Sequence, residues 1–538
     1  MENEKTIAEG YAPEQDRRVS IHAAPLDATP KTRWERSWPT IACGAGLFSD
    51  GYLNGPCTHL ECLLTYFSVI GSVNTMLRLI YKDEYSNSSA QSNVTSIAFA
   101  GTVVGQLAYV SWSPERCAIQ ARVSFFVARR QIAEEFASFG YLSDHWSRRH
   151  SLLLSTIILI IFAALGAGSY GAGGSVGGLF AALTAYRFLL GIGIGGEYPA
   201  GSVACAEATG ELKRGHRNRW FICFTNLAID VGFVVASLVP MIMVLIFSEN
   251  HLRAAWRMCL GLGVIPPLSL LYLRIKLQEP EEYNRNKMNH YPYWLILKFY
   301  WFRLSVVALI WFIYDFSSYS FSIYSSSWLA FLLPATAPLW KTFGWNTVIN
   351  LFYCPGAVAG AFLSDLIGAK YCLVLGVWLQ GIVGFIMTAL YGHLDHPGQV
   401  GGFVVVYGIF LALGEVGPGD NIGLLASKTS ATSVRGMYYG IAAACGKIGA
   451  FVGNYVFPSI IKAAGDNVIK QGQYPFYVSS ALCIFSGLIA LVFLPNVGQD
   501  TITEEDERFR AYLIEHGYDV STMGTKKFHE EKALANSV

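Results

Sequence analysis

The amino-acid sequence predicts an all-α polytopic membrane protein, with twelve transmembrane helices arranged as two pseudo-symmetric six-helix halves. Three observations carry that expectation. Hydrophobic residues fill 53% of the 538 positions and charged residues only 14%, against about a quarter charged in a soluble domain, so lipid is the solvent. Apolar runs of about 20 residues, the length that crosses a bilayer as a helix, recur about twelve times between Trp38 and Leu494. Landmarks also repeat at one spacing: Leu142–Asp144 (Leu-Ser-Asp) returns at Leu363–Asp365, and Arg214-Gly215 returns as Arg435-Gly436, each 221 residues later. Two landmarks sharing one offset are the trace of a chain built from parallel halves. A large soluble enzyme would instead alternate apolar and polar faces.

Taken in chain order, residues 1–37 are polar and charged and hold no basic stretch leading into a short apolar run and cleavage site, so no signal peptide is expected. They read as a cytoplasmic tail. The first half follows at 38–275, and its first span carries an acid at membrane depth, Asp50 in Ser49-Asp50-Gly51-Tyr52. The next loop holds two glycosylation sequons, Asn87-Ser88-Ser89 and Asn93-Val94-Thr95, which suit an exterior face. Basic residues cluster in alternate loops, at Arg148 and Arg149, at Lys213, Arg214, Arg217 and Arg219, from Lys276 to Arg303, at Lys428 and Arg435, and at Lys526 and Lys527. Those loops are cytoplasmic by the positive-inside rule. Residues 276–303 then form a central cytoplasmic loop, 304–498 the second half and 499–538 a second cytoplasmic tail. A net charge of +1 gives no reason to expect a nucleic-acid partner. The eleven cysteines are odd in number, lack any CxxC and mostly sit inside apolar spans, so they read as small core residues, with no disulfide framework or metal site.

The repeat also exposes a mismatch. Asp50 and Asp315 should correspond, yet Asp50 lies 94 residues before Asp144 and Asp315 only 50 before Asp365, an excess of 44 in the first half. Two segments look foreign, Pro56–Ser68 and Tyr109–Ser138, and together they hold 43 residues. Without the second, Val94–Ala108 runs directly into Phe139–Leu142 as one span. With it, Glu115, Arg116, Arg122, Arg129 and Arg130 must be housed near the bilayer, at high cost. Val110-Ser111 can be encoded by GTAAGT, a splice donor, so Tyr109–Ser138 reads as translated intron and Pro56–Ser68 as a misplaced splice boundary. The other reading is a genuine insertion sheltered by protein or water.

Motifs sharpen the picture. Gly140, Asp144, Arg148 and Arg149 resemble the major facilitator signature after span two, G-x-x-x-D-R-x-G-R-R, with His145 replacing the first Arg and Ser147 the Gly. Such a turn serves as a charge latch that forms in one state and breaks in the other; the latch candidates are Asp144, Arg148, Arg149 and the repeat partner Asp365. The plainer reading is a basic turn that only sets topology. Arg187–Pro199 places Arg187 and Glu197 in span four among glycines, which permit close helix contact. It resembles the fourth span of phosphate:proton symporters, where an acid and a Tyr stand as Glu197 and Tyr198 do here. In span seven Trp311, Asp315 and Tyr319 fall at i, i+4 and i+8 on one face, and a membrane-buried acid on an aromatic stripe is a site candidate. The symporter family uses this face, with a span-eleven Lys, to hold phosphate. Here that Lys is Lys447, and Asn226, its counterpart under the offset of 221, stands where the family has a Gln. A lone buried cation is costly, so the competing reading of Lys447 is a permanent pair with Asp315 or Glu197. Gly414–Asn421 departs from inorganic phosphate carriers; together with Ser49–Tyr52 and Gly440–Phe451 it looks most like the fungal glycerophosphoinositol permeases. The similarity spans nearly the whole chain outside the tails and the two foreign segments.

That resemblance implies proton-coupled uptake, across the plasma membrane, of a phosphate-containing small anion such as glycerophosphoinositol or a related glycerophosphodiester. Lys447 would supply the positive charge while Trp311, Tyr319, Tyr198 and Asn226 offer donors and shape. Asp315 and Glu197 cannot both stay ionised beside an anion, so a proton loads with it, and Asp50 is a further relay candidate. No enzyme activity, cofactor, metal or obligate protein partner is expected; the partners are substrate, proton and bilayer. An inorganic phosphate symporter is one alternative, against which Glu415 and Asp420 weigh by repelling a dianion. A sugar or organic-cation carrier has no need of Lys447. A nutrient-sensing receptor of the same fold would use the tail Asp500–Val538 for signalling contacts.

Overall fold

A backbone in lipid finds hydrogen-bond partners only in itself, which restricts such spans to helices. The computed structural model describes residues 33–49, 52, 69–86, 90–107, 139–213, 215–333, 337–394, 396, 398–526 and 528–530, and among them there is no strand. Asp50, Pro56–Ser68 and Tyr109–Ser138 lie outside the described residues. Nine helical stretches among those described are long and apolar enough to cross a membrane. Spans one, two and eleven complete the twelve.

The first half comprises α1 (Arg33–Gly44), α2 (Val69–Ser86), α3 (Ala90–Leu107), α4 (Phe139–His145), α5 (Arg148–Ala167), α6 (Val176–Glu197), α7 (Val203–Ala208), α8 (Arg217–Phe224), α9 (Asn226–Phe247), α10 (Leu252–Leu262) and α11 (Ile265–Lys276). A short α12 (Glu281–Asn286) leads to the second half: α13 (Tyr293–Leu332), α14 (Leu339–Leu351), α15 (Tyr353–Ile367), α16 (Ala369–Leu394), α17 (Val400–Gly414), α18 (Asp420–Lys428), α19 (Arg435–Lys462) and α20 (Val468–Phe493). A last helix, α21 (Thr501–Glu515), packs beneath the bundle.

Glycines set the helix spacing. A Cβ at Gly101 or Gly105 of α3 would fall 2.1 or 2.3 Å from the carbonyl oxygen of Phe188 or Ile192, and one at Gly191 or Gly195 of α6 would fall 2.2 or 2.4 Å from that of Ala98 or Thr102. The glycine run of span four is thus backbone-to-backbone packing, the small-xxx-small device of membrane helices. Gly449 presses α19 against the Phe312 backbone of α13 in the same way, Gly446 leaves room for the Trp311 ring, and Lys447 between them meets span seven. Spans four and ten each carry a π-helical turn, Tyr198–Ser202 after α6 and Glu415–Gly419 after α17. Such turns shift the side-chain register by part of a turn and recur at functional sites.

The flanks of the second foreign segment meet. A Cβ on Gly440 would lie 3.3 Å from the Gln106 carbonyl oxygen and 3.7 Å from the Gly140 Cα, so the end of α3 and the start of α4 adjoin one residue of α19.

Candidate functional site: a cavity between the halves

A cavity of about 70 Å3 sits between the halves, walled by α8 and α9 of the first and by α13, α18 and α19 of the second, with both π turns contributing. Its two ends differ in charge.

At one end Lys447 is 2% exposed. Its ammonium lies 3.8 Å from the Asp315 carboxylate and donates to the Tyr319 hydroxyl. It also sits 4.1 Å from the Tyr319 ring centroid and 4.9 Å from that of Tyr198, where ring quadrupoles favour a cation. Trp311 stands edge-on to Tyr439 at 5.4 Å, and Tyr319 edge-on to Phe99 of the first half at 5.6 Å. The stripe at i, i+4 and i+8 thus brings Asp315 and Tyr319 to one lysine, with the Trp311 ring against the neighbouring Gly446.

The other end is acidic. Asn226 Nδ2 donates to Glu415 Oε2 at 2.7 Å and to Asp420 Oδ1 at 2.8 Å, and the Tyr314 hydroxyl donates to Glu415 Oε1 at 2.9 Å. Asp230, one turn after Asn226 on α9, is also buried against the cavity. Asn226 differs here from the expected phosphate donor: its amide is engaged by two carboxylates. Sequence reading did not single out Asp230, although an acid within the apolar run of α9 is itself the signal that would have found it.

Glu197 also differs from expectation. It does not line the cavity; Arg274 of α11 grips both its oxygens at 2.6 Å, and Ser155 donates to it at 2.7 Å. The side chains of Glu197 and Arg274 are each 1% exposed. Successive helical residues point about 100° apart, and here Tyr198 lines the cavity while Glu197 turns into the first half.

The basic-loop side is closed by contacts between the halves. Asp144 accepts from the amides of Gly436 and Met437 at 2.9 and 2.8 Å and pairs with Arg148. Arg148 donates to Thr432 O at 2.9 Å, and Glu207 binds both Arg148 and Arg435 at 3.0 Å. The repeat partner Asp365 accepts from Arg219 at 2.5 Å and from Gln499 at 2.9 Å, while Asn218 donates to Ser364 O at 3.1 Å. Arg149 stays within its own side, its amide on Glu279 and its guanidinium on Ile275 O. Sequence reading passed over Glu207, the carboxylate shared by two arginines. Beneath the seam Asp506 of α21 accepts from Thr432 N and Oγ1 at 2.5 and 2.7 Å and from Asn286 at 2.9 Å. Burial pushes its carboxyl up to about 6, against the opposing pull of Arg435 and of the Thr432 hydrogen bonds.

Comparison with known proteins follows this geometry. The family described as "Sugar (and other) transporter" matches residues 63–291 and 281–509. The chain is 48% identical to the major glycerophosphoinositol permease GIT3 of Candida albicans, over 90% of this chain and 84% of the relative. It is 46% identical to the glycerophosphocholine permease GIT4 of the same organism, over 95% and 88%. Among solved structures, the major facilitator superfamily proton:xylose symporter XylE bound to 6-bromo-6-deoxy-D-glucose superposes with a TM-score of 0.68 at 16% identity, covering 88% of this chain and 98% of that one. The chain therefore belongs to the sugar (and other) transporter family of the major facilitator superfamily, in the branch that holds the fungal glycerophosphodiester permeases.

Proposed function

We propose that this protein is a proton-coupled uptake permease for glycerophosphodiesters in the plasma membrane, with both termini cytoplasmic. The observation that carries the reading is Lys447, a buried cation in a central cavity with an acid 3.8 Å away and tyrosines around it. An arriving phosphodiester competes with Asp315 for the ammonium. Once the anion takes that place, an ionised Asp315 beside it is repelled, and a proton on the carboxylate removes the repulsion. Substrate and proton then load together. Trp311, Tyr319 and Tyr198 shape the anion site, and Asp50, outside the described residues, is a further relay candidate. Glu197, held by Arg274, takes a structural part in this scheme, and Asn226 spaces the acids opposite. One lysine facing four cavity carboxylates, Asp230, Asp315, Glu415 and Asp420, weighs against inorganic phosphate, whose second charge would meet them.

The seam through Asp144, Arg148 and Asp365 acts as the latch of alternating access, with Arg149 anchoring its own half. A cavity of about 70 Å3 holds a few waters at about 10–15 Å3 each, and in this reading a diester loads in a wider state of the same cavity. Uptake of labelled glycerophosphodiester into proteoliposomes tests the reading. It should rise as external pH falls, collapse with a protonophore and be lost in Lys447→Ala while the protein still inserts. Normal uptake by that variant refutes the anion site; accumulation that survives the protonophore refutes coupling.

A further inference from the structure

We infer that the acidic wall of the cavity is a subsite for a cationic head group, so that this permease selects phosphodiesters whose alcohol carries an ammonium over those with a neutral polyol. The inference rests on the reading of Lys447 as the phosphate site.

Most other buried acids of this protein rest on an arginine. Asp144 and Glu207 sit on Arg148, Glu197 on Arg274, Asp365 on Arg219 and Glu505 on Arg303. A buried carboxylate without such compensation is costly. Asp230, Glu415 and Asp420 are 1%, 4% and 1% exposed, yet among the described residues none of them is ion-paired with a basic side chain. Their partners are neutral donors, the Asn226 amide and the Tyr314 hydroxyl. Asp230 Oδ2 has no hydrogen-bond partner among the described residues. Two carboxylates bridged by one amide, with a third lining the same wall, form a wall that either protons or a cation entering the cavity must neutralise, and the rings around it favour the cation.

The chemistry of that charge is legible in the neighbours. Phe233 and Tyr353 line the same wall with ring centroids 5.7 Å apart, and Tyr314 adds a third ring. Aromatic faces beside carboxylates suit a quaternary ammonium, which donates no hydrogen bond and is held by charge and ring quadrupoles. Helix α13 separates the two functions: Asp315 and Tyr319 meet Lys447, while Tyr314 reaches Glu415. A phosphate at one end and an ammonium at the other match a zwitterion.

The test needs no variant to begin. Proteoliposomes holding the full chain take up labelled glycerophosphocholine in competition with unlabelled glycerophosphocholine, glycerophosphoinositol and the neutral isostere carrying a tert-butyl group in place of trimethylammonium. The inositol diester and the isostere should each compete at least about tenfold more weakly than the choline diester, a difference of about 1.4 kcal/mol. Glu415→Gln and Asp230→Asn should then shrink that preference, whereas Lys447→Ala removes uptake of every diester. An isostere that competes as well as the choline diester overturns the subsite and leaves the phosphate site standing. Amide variants that slow all diesters by one factor also overturn it, and mark the wall as a proton store. If the wild-type chain takes up no diester, the proposed function fails and the subsite with it.

Discussion

Replacing Arg274 by Met would strand Glu197 in the first half with Ser155 as its remaining donor, because both carboxylate oxygens rest on that guanidinium at 2.6 Å and the pair is 1% exposed on each side. Breaking a buried pair from one side costs about 3–5 kcal/mol, or about two to nearly four powers of ten in the folded population. The double variant Glu197→Gln/Arg274→Met removes the stranded charge and should recover most of the loss. It stays short of wild type, because Arg274 also serves Thr156 Oγ1 at 2.6 Å and the Ala42 carbonyl at 3.1 Å, hydrogen bonds worth about 1 kcal/mol each. Tryptophan-detected thermal unfolding of the purified full chain measures the stabilities, and uptake against pH in proteoliposomes measures the role. The double variant should keep the wild-type pH profile. A double variant no more stable than Arg274→Met refutes the ion-pair account. A Glu197→Gln chain of normal stability whose uptake no longer responds to pH would make Glu197 the proton carrier after all.

Asp144→Ala should speed hydrogen exchange of the Gly436 and Met437 amides by at least about tenfold, since each loses a charge-assisted bond worth about 1.5–3 kcal/mol; unchanged protection refutes the latch contact. With the Asp506 carboxyl at about 6 when α21 is docked and 3.8 ordinarily, the docked form holds a proton the released form lacks between those values. Docking therefore tightens as pH falls from about 6 toward 4. Proteolysis of α21 should slow accordingly, Asp506→Asn should abolish the dependence, and protection that grows with pH refutes it. Deleting Tyr109–Ser138 should leave a chain that inserts and transports at least as well as the full one, with mature transcripts lacking those codons; a transcript that keeps them, encoding a transporting chain, refutes the intron reading.

What was legible in the sequence followed from periodicity. Helix spacing alone puts Trp311, Asp315 and Tyr319 on one face, and the offset of 221 residues brings Asn226 and Lys447 into the same comparison, so the cavity's position and its lysine end were readable. The acidic end was harder. Glu197 and Tyr198 are adjacent in sequence and so point to different sides of span four, and the packing of the neighbouring helices decides which of them meets the cavity. The Arg that claims Glu197 comes from α11, a pairing fixed by packing over 77 residues of separation. Asn226 reads as a donor to an anion until Glu415 and Asp420 are seen to approach it from the far half. The glycine run of span four fits both a site and a packing face, and backbone distances resolve it as packing.

The two inter-half seams on the basic side are built in unequal surroundings. Asp144, Arg148, Glu207 and Arg435 are sealed at 0% side-chain exposure, whereas Arg219 is 23% exposed at the Asp365 seam and the adjoining Arg217–Asp500 pair is 18% and 37% exposed. Dissolved ions weaken solvent-exposed pairs, with a screening length of about 8 Å at physiological ionic strength, and weaken buried pairs much less. If these contacts are the proposed latch, it should unzip from the wetted Asp365 edge toward the dry Arg148 cluster, and raising the salt concentration should hasten the first step more than the second.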